Sequence, residues 1–170
     1  MGTINSTRLD GDLLYQIISQ RPDYSFVFTG PEDDGFRQHR IHSLKNAYFT
    51  GQKKVDELPA YITAYDVCIN PQMVNDITDG NYPLKIDEYL AMGKPTVATS
   101  THTMRHIFAD HTHLATNPEE WLSAIDRAVT EADDKELAKQ RIAFAETHSW
   151  GHSVKKIYGI IDNFLKEKAT

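Results

Sequence analysis

"YPLKIDEYLAMGKPTVATS", residues 82–100, decides the fold. It reads as a helix, a tight stop and a strand, with no linker between them. Pro83 suits the first turn of a helix, where its absent N–H is not missed. Gly93 supplies a left-handed cap, and Pro95 cannot continue the helix. "PTVAT" is then a short buried strand. One acid, Glu88, stands about one and a half turns into the helix. Periodicity alone makes it a solvated surface acid, so any other role needs evidence from the rest of the chain.

Working outward, the same alternation recurs on both sides. "DLLYQIISQ" places Leu13, Leu14, Ile17 and Ile18 at helical spacing, and "YSFVFTG" is a short strand ending in glycine. "FRQHRIHSL" is a weak helix and "NAYFTG" a strand. "VDELPAYITAY" is helical with Pro59 in its first turn, and "VCINP" is a buried strand. Residues 72–81 form a polar loop. After "PTVAT" come the strand "HTHLAT" and a helix from Pro118, capped by Asn117 and led by two acids. Two further helices are "DKELAKQRIAFAETH" and "WGHSVKKIYGIIDNFLKEK". Helices alternating with short apolar strands predict an α/β fold: a doubly wound parallel sheet, Rossmann-like, with helices on both faces. In such sheets ligands bind outside the carboxyl ends of the strands. The loops starting at Gly2, Gly30, Gly51, Pro71 and Thr99 should therefore share one edge. The opening "MGTIN" has almost no strand before Gly2, although a doubly wound domain normally begins with a full central strand. That suggests a piece of something longer.

The 170 residues suit one domain, 1–170. With a net charge of −6 there is no basic surplus for DNA or RNA, and a nucleic-acid partner is not expected. A local basic pocket for one small anion is still compatible. The single Cys68 cannot form an internal disulfide, no apolar run reaches a membrane span and no signal peptide is recognisable. A cytoplasmic protein is expected.

"GTINSTRLDGDLL", "NAYFTG", "AYDVCINP", "YPLKIDEYLAMGKPTVAT" and "HSWGHSVKKIYGII" together resemble the C-terminal, donor-binding half of group-1 (family 4-like) glycosyltransferases of the GT-B fold. "EYLAMGKPTVAT" is the most specific part, similar to the family's E-A-M-A-x-G-x-P-V-V-A. The resemblance implies binding of a nucleotide-diphosphate sugar and transfer of its glycosyl group with retention, without metal or cofactor. It also implies partners: an N-terminal acceptor half of the same enzyme, absent from this chain, and a glycan or lipid-linked acceptor. The full-length enzyme would be cytoplasmic, or peripheral at the inner membrane face.

Residue by residue, the family's G-R-L-x-x-x-K-G falls on Gly2 to Leu9. Thr3 stands at its arginine and Arg8 at its lysine. The family's E-x7-E falls on residues 80–88. The resemblance assigns Glu88 to the ribose hydroxyls. Gly80 replaces the acid that faces the donor sugar, with Asp79 and Asn81 beside it as stand-ins. Gly51 opens the loop expected to flank the base.

The chemistry wants such groups. Negative charge grows on a departing diphosphate, and fixed cations and aligned N–H groups stabilise it without reorganising. Arg8, Lys85 and the N–H groups of Leu84, Lys85 and Ile86 are candidates. The bland readings are a surface charge for Arg8, or a pair with Asp10 or Asp12, and turn chemistry for Gly2, Gly30 and Gly51. The His pairs 102/106 and 148/152 have helical spacing but no supporting acid or Cys cluster, so no metal site is expected. No residue stands out as a catalytic base or nucleophile. Two rivals are open: a nucleotide-sugar epimerase of the same fold, and a binding module without catalysis.

Overall fold

The computed structural model describes residues 1–168. Five strands alternate with seven helices: α1 (Gly11–Ser19), β1 (Phe26–Thr29), α2 (Asp34–Arg37), β2 (Ala47–Gly51), α3 (Leu58–Ala64), β3 (Cys68–Asn70), α4 (Leu84–Ala91), β4 (Thr96–Thr99), β5 (His113–Ala115), α5 (Pro118–Thr130), α6 (Lys135–Thr147) and α7 (Trp150–Lys168). All strand pairs are parallel, as the alternation requires. They form two sheets rather than one: β1 with β2, and β3–β4–β5 with β4 central.

Strand β4 shows why its sequence is apolar throughout. All four of its residues are buried. Side chains alternate across a strand, so Val97 joins one core with α1, β1 and α5, while Ala98 joins the other with α4, Met104 and Phe108. The first core takes in Phe26 and Phe28 as well as Val97 and Ala115, so the two sheets share it.

The ends of the elements follow local chemistry. Asp10 caps α1 by accepting from Leu13 N, and Asn117 caps α5 by accepting from Glu120 N. Gly93, at φ +71°, closes α4, with Lys94 N donating to Tyr89 O at 3.0 Å. Two expectations shift, and one element is new. Pro83 is the N-cap of α4 and not its first helical residue. "FRQHRIHSL" splits into the short α2 and a 3-10 turn at Arg40–Ser43. Met104–Phe108 forms a π-helical turn in a stretch left without an element by its irregular pattern.

Helix α7 leaves the body. None of its residues is buried, and Trp150, Val154, Ile157, Tyr158, Phe164 and Leu165 all face solvent. No helix among the described residues is long and apolar enough to cross a membrane.

Candidate functional site

The carboxyl ends of the strands are drawn together by backbone bonds. Gly2 N donates to Thr29 O at 2.9 Å, and Gly30 N donates to Gly51 O at 3.0 Å. Gly30, at φ +143°, has no room for a side chain: a Cβ there would stand 1.9 Å from Gly2 O. Glycine at this position is a requirement of the close approach. Asp10 N donates to Pro71 O, and Met73 N to Arg8 O at 2.8 Å, so the loop from Gly2 to Leu9 is stitched to β1 on one side and to the end of β3 on the other. The predicted shared edge is present.

Under that loop lies a pocket of about 470 Å³, lined by Gly2, Thr3, Asn5, Arg8, Leu9, Gln72, Asn81, Tyr82, Pro83, Leu84 and Lys85. It brings together six of the residues singled out from sequence: Gly2, Thr3, Arg8, Asn81, Leu84 and Lys85. Arg8 is exposed and makes no ion pair among the described residues. Asp10 is occupied capping α1, and Asp12 pairs with Arg40 at 2.8 Å. Lys85 is half-buried in this wall. Burial lowers its pKa, the nearby charge of Glu88 opposes that shift, and the charge of Arg8 adds to it. Two cations thus face one cavity, and among the described residues no carboxylate is bonded to either. That arrangement is costly in an empty protein and favourable around an anion.

The helix terminus contributes less than the sequence suggests. Leu84 N donates to Tyr82 O at 3.1 Å and Ile86 N to Pro83 O at 2.8 Å. Of the three N–H groups, only that of Lys85 is left to meet an anion. The reason is the cap: Pro83 ends an extended approach, and the chain turns on its own carbonyls before the helix begins.

The other residues lie around this pocket. Glu88 is exposed on α4, one turn beyond Lys85 and close enough to act on its charge. Gly51 is exposed at the end of β2, tied to Gly30. Gly80 is exposed with open space where a Cβ would stand. Asp79 is committed elsewhere: its Oδ1 accepts from His102 N at 2.7 Å, tethering the 72–81 loop to the turn after β4.

Sequence reasoning missed Asn5, Gln72 and Tyr82. Asn5 Oδ1 accepts from Thr7 N at 2.8 Å and shapes the loop. Tyr82 donates to Asp87 Oδ2 at 2.6 Å, and Asp87 Oδ1 is 2.9 Å from His148 Nδ1. Of these only Asn5 carries a local signal, the Asx turn that its side chain makes with Thr7 N. The rings of His102 and His106 are 4.2 Å apart, and no group of three His, Cys, Asp or Glu is placed to hold a metal among the described residues.

A parallel α/β domain with a two-cation pocket at the carboxyl edge of its strands has the Rossmann-like architecture. The model of the family of glycosyl transferases group 1 matches residues 12–131, and the chain belongs to that family. It is 27% identical over 157 residues to TuaH of Bacillus subtilis (strain 168), a glycosyltransferase assigned to teichuronic acid biosynthesis, covering 88% of this chain and 39% of that protein. In structure it is similar to sucrose-phosphate synthase from Thermosynechococcus elongatus, with a TM-score of 0.74 at 17% identity over 98% of this chain and 46% of that one. It is also similar to HepE of Anabaena in complex with UDP, with a TM-score of 0.71 at 15% identity over 95% of this chain and 48% of that one. Both structures have the GT-B fold, and this chain has the architecture of one half of it. The chain spans under half the length of each of these relatives.

Proposed function

We propose that this chain is the donor-binding domain of a glycosyltransferase that takes its glycosyl group from a nucleotide diphosphate sugar. The observation that carries this reading is the pair Arg8 and Lys85, two cations without bonded acids, facing one pocket at the carboxyl edge of the sheet. Family membership and the UDP held by HepE support it.

In the reaction the bond from the sugar's anomeric carbon to the diphosphate oxygen breaks, and its electron pair leaves with the diphosphate. An acceptor oxygen bonds to that carbon and gives up its proton. Arg8 from one wall and Lys85 from the other hold the departing charge. Arg8 can engage two oxygens through its planar fork. A bound diphosphate also favours the charged form of Lys85, which burial disfavours. In this reading Glu88, a turn along α4, accepts from the two ribose hydroxyls, and the base lies against Thr50–Val55. The anomeric configuration is retained, and no metal takes part. The acceptor, a glycan or a lipid-linked chain, binds a separate N-terminal half, and the complete enzyme works in the cytoplasm. Rate in such an enzyme comes from closing both halves over the reactants, so this chain alone should bind donor and transfer nothing.

Calorimetry with UDP, GDP and ADP and their nucleosides tests the reading. One diphosphate should bind. Arg8→Ala should weaken that diphosphate by about 1.5–3 kcal/mol, the scale of hydrogen bonds to a charged group, and leave the nucleoside unchanged. Glu88→Ala should weaken both. Absence of binding by every diphosphate, or equal loss for nucleoside and diphosphate with Arg8→Ala, would overturn it.

A further inference from the structure

Gln72 stands just past the end of β3, where the chain leaves Pro71 for the 72–81 loop. It is 7% exposed and lines the Arg8–Lys85 pocket. Its backbone is held on all sides. Gln72 N donates to Asn70 O at 3.0 Å, and Gln72 forms an antiparallel bridge with Leu9. Asp10 N donates to Pro71 O at 3.1 Å and Met73 N to Arg8 O at 2.8 Å, one bond on either side of that bridge. Thr78 donates its hydroxyl to Met73 O as well. In this pattern Leu9 and Gln72 are a directly opposed pair without mutual hydrogen bonds, and their side chains share one face. Gln72 is therefore fixed relative to Arg8, the neighbour of its bridge partner.

The side chain is not held in the same way. Its amide makes no hydrogen bond among the described residues. Three buried side-chain atoms that lack a partner, Asn70 Oδ1, Thr99 Oγ1 and Trp121 Nε1, are sealed from solvent. The amide of Gln72 is not sealed, and the space open to it is the cavity it lines. Nothing local calls for an amide here. A leucine or methionine would pack beside Leu9 without the cost of taking an amide out of bulk water. A largely buried amide is normally bonded, so its partner is whatever fills the cavity.

The charges of the wall say what that partner is. Arg8 and Lys85 line the same cavity, and no residue lining it carries a carboxylate. The occupant is an anion, and its oxygens are acceptors. The Gln72 amide brings two N–H donors and no charge. A glutamate at this position has the same shape and the opposite effect, because it would pair with a cation of the wall and repel an anion.

We propose that Gln72 is an anion-binding residue of this pocket, its side-chain N–H groups donating to a phosphate oxygen held between Arg8 and Lys85. The two cations supply attraction from any direction. The amide, fixed by the bridge to Leu9, supplies direction and selects one orientation of the phosphate. The proposal rests on the donor reading for the choice of phosphate as the anion, and on the pocket alone for the rest.

The test is calorimetry with inorganic pyrophosphate, and with UDP, GDP and ADP, on the 170-residue chain and its Gln72→Met and Gln72→Glu variants. Urea unfolding of each chain without ligand runs alongside. Gln72→Met keeps the length of the side chain and removes its polar end. It should unfold at no lower urea than the original chain, yet bind pyrophosphate about tenfold or more weakly, the scale of one hydrogen bond to a charged group. Gln72→Glu should bind it about a hundredfold or more weakly at neutral pH, from like charge in one cavity. Unchanged pyrophosphate affinity in Gln72→Met would overturn the proposal, as would absence of pyrophosphate binding by the original chain. A Gln72→Met chain that loses stability together with affinity would overturn it too, because the amide would then be a structural group. Pyrophosphate binding that depends on Gln72, without binding of UDP, GDP or ADP, would leave this proposal standing and sink the donor reading.

Discussion

Single atoms set the Arg8–Lys85 pocket. Gly30 is the sharpest case, since a Cβ would fall 1.9 Å from Gly2 O at a φ of +143°. Gly30→Ala must push the Gly2–Leu9 loop off the end of β1. We expect a loss of about 2 kcal/mol or more in urea unfolding, from strain in a region closed to side chains, together with weaker diphosphate binding because Arg8 rides on that loop. Unchanged values in both would refute the close approach. The sequence offered part of this. Gly2, Gly30 and Gly51 were legible as turn residues at strand ends, but that two of them touch was not, because contact between separate loops leaves no local pattern. The same holds for Asp79. Its neighbourhood to Gly80 and Asn81 suggested a donor contact, while its actual partner is His102 N, reached only through the fold.

At the scale of elements, α4 carries Lys85 and Glu88 and is held from behind by α6. Arg141 of α6 is 5% exposed, pairs with Glu131 at the end of α5, and donates to Gly93 O at 3.4 Å where α4 stops. Glu131 also faces His113 of β5 at 3.0 Å. Arg141→Ala leaves a poorly solvated carboxylate and a bare carbonyl, so a loss of about 3 kcal/mol in urea unfolding is expected. A change under about 1 kcal/mol would show the pair to be a surface contact in energetic terms. Element types were legible here because each carries its own punctuation: Asn117 and Pro118 open α5, and Gly93 closes α4. The division of the strands into two sheets was foreshadowed only by the short opening "MGTIN". The π-turn at Met104–Phe108 had no periodic signal at all.

Across the whole molecule, the cavity between β1 and β3, lined by Met1 and Tyr89, has a signature in pH. Burial holds the Met1 amino group at about 6, below its ordinary 8.0. Between those values the unfolded chain binds more protons than the folded one, so stability rises with pH across that window and is level for this group outside it. The slope from one group is at most about 1.4 kcal/mol per pH unit. Urea midpoints from pH 5.5 to 8.5 should show this rise in the original chain and lose it in a version with Gly-Ser-Gly-Ser-Gly added before Met1, where the Met1 nitrogen is an uncharged amide. Identical pH profiles would mean that the amino group is solvated. The other outlying feature of the molecule is α7. Nineteen residues make a rod about 28 Å long, joined to the body at one end. Next to that joint His148 meets Asp87 of α4, and Asp87 meets Tyr82 in the wall of the pocket. The rod thus begins two residues after a run of contacts, His148 to Asp87 to Tyr82, that ends in the wall of the Arg8–Lys85 pocket.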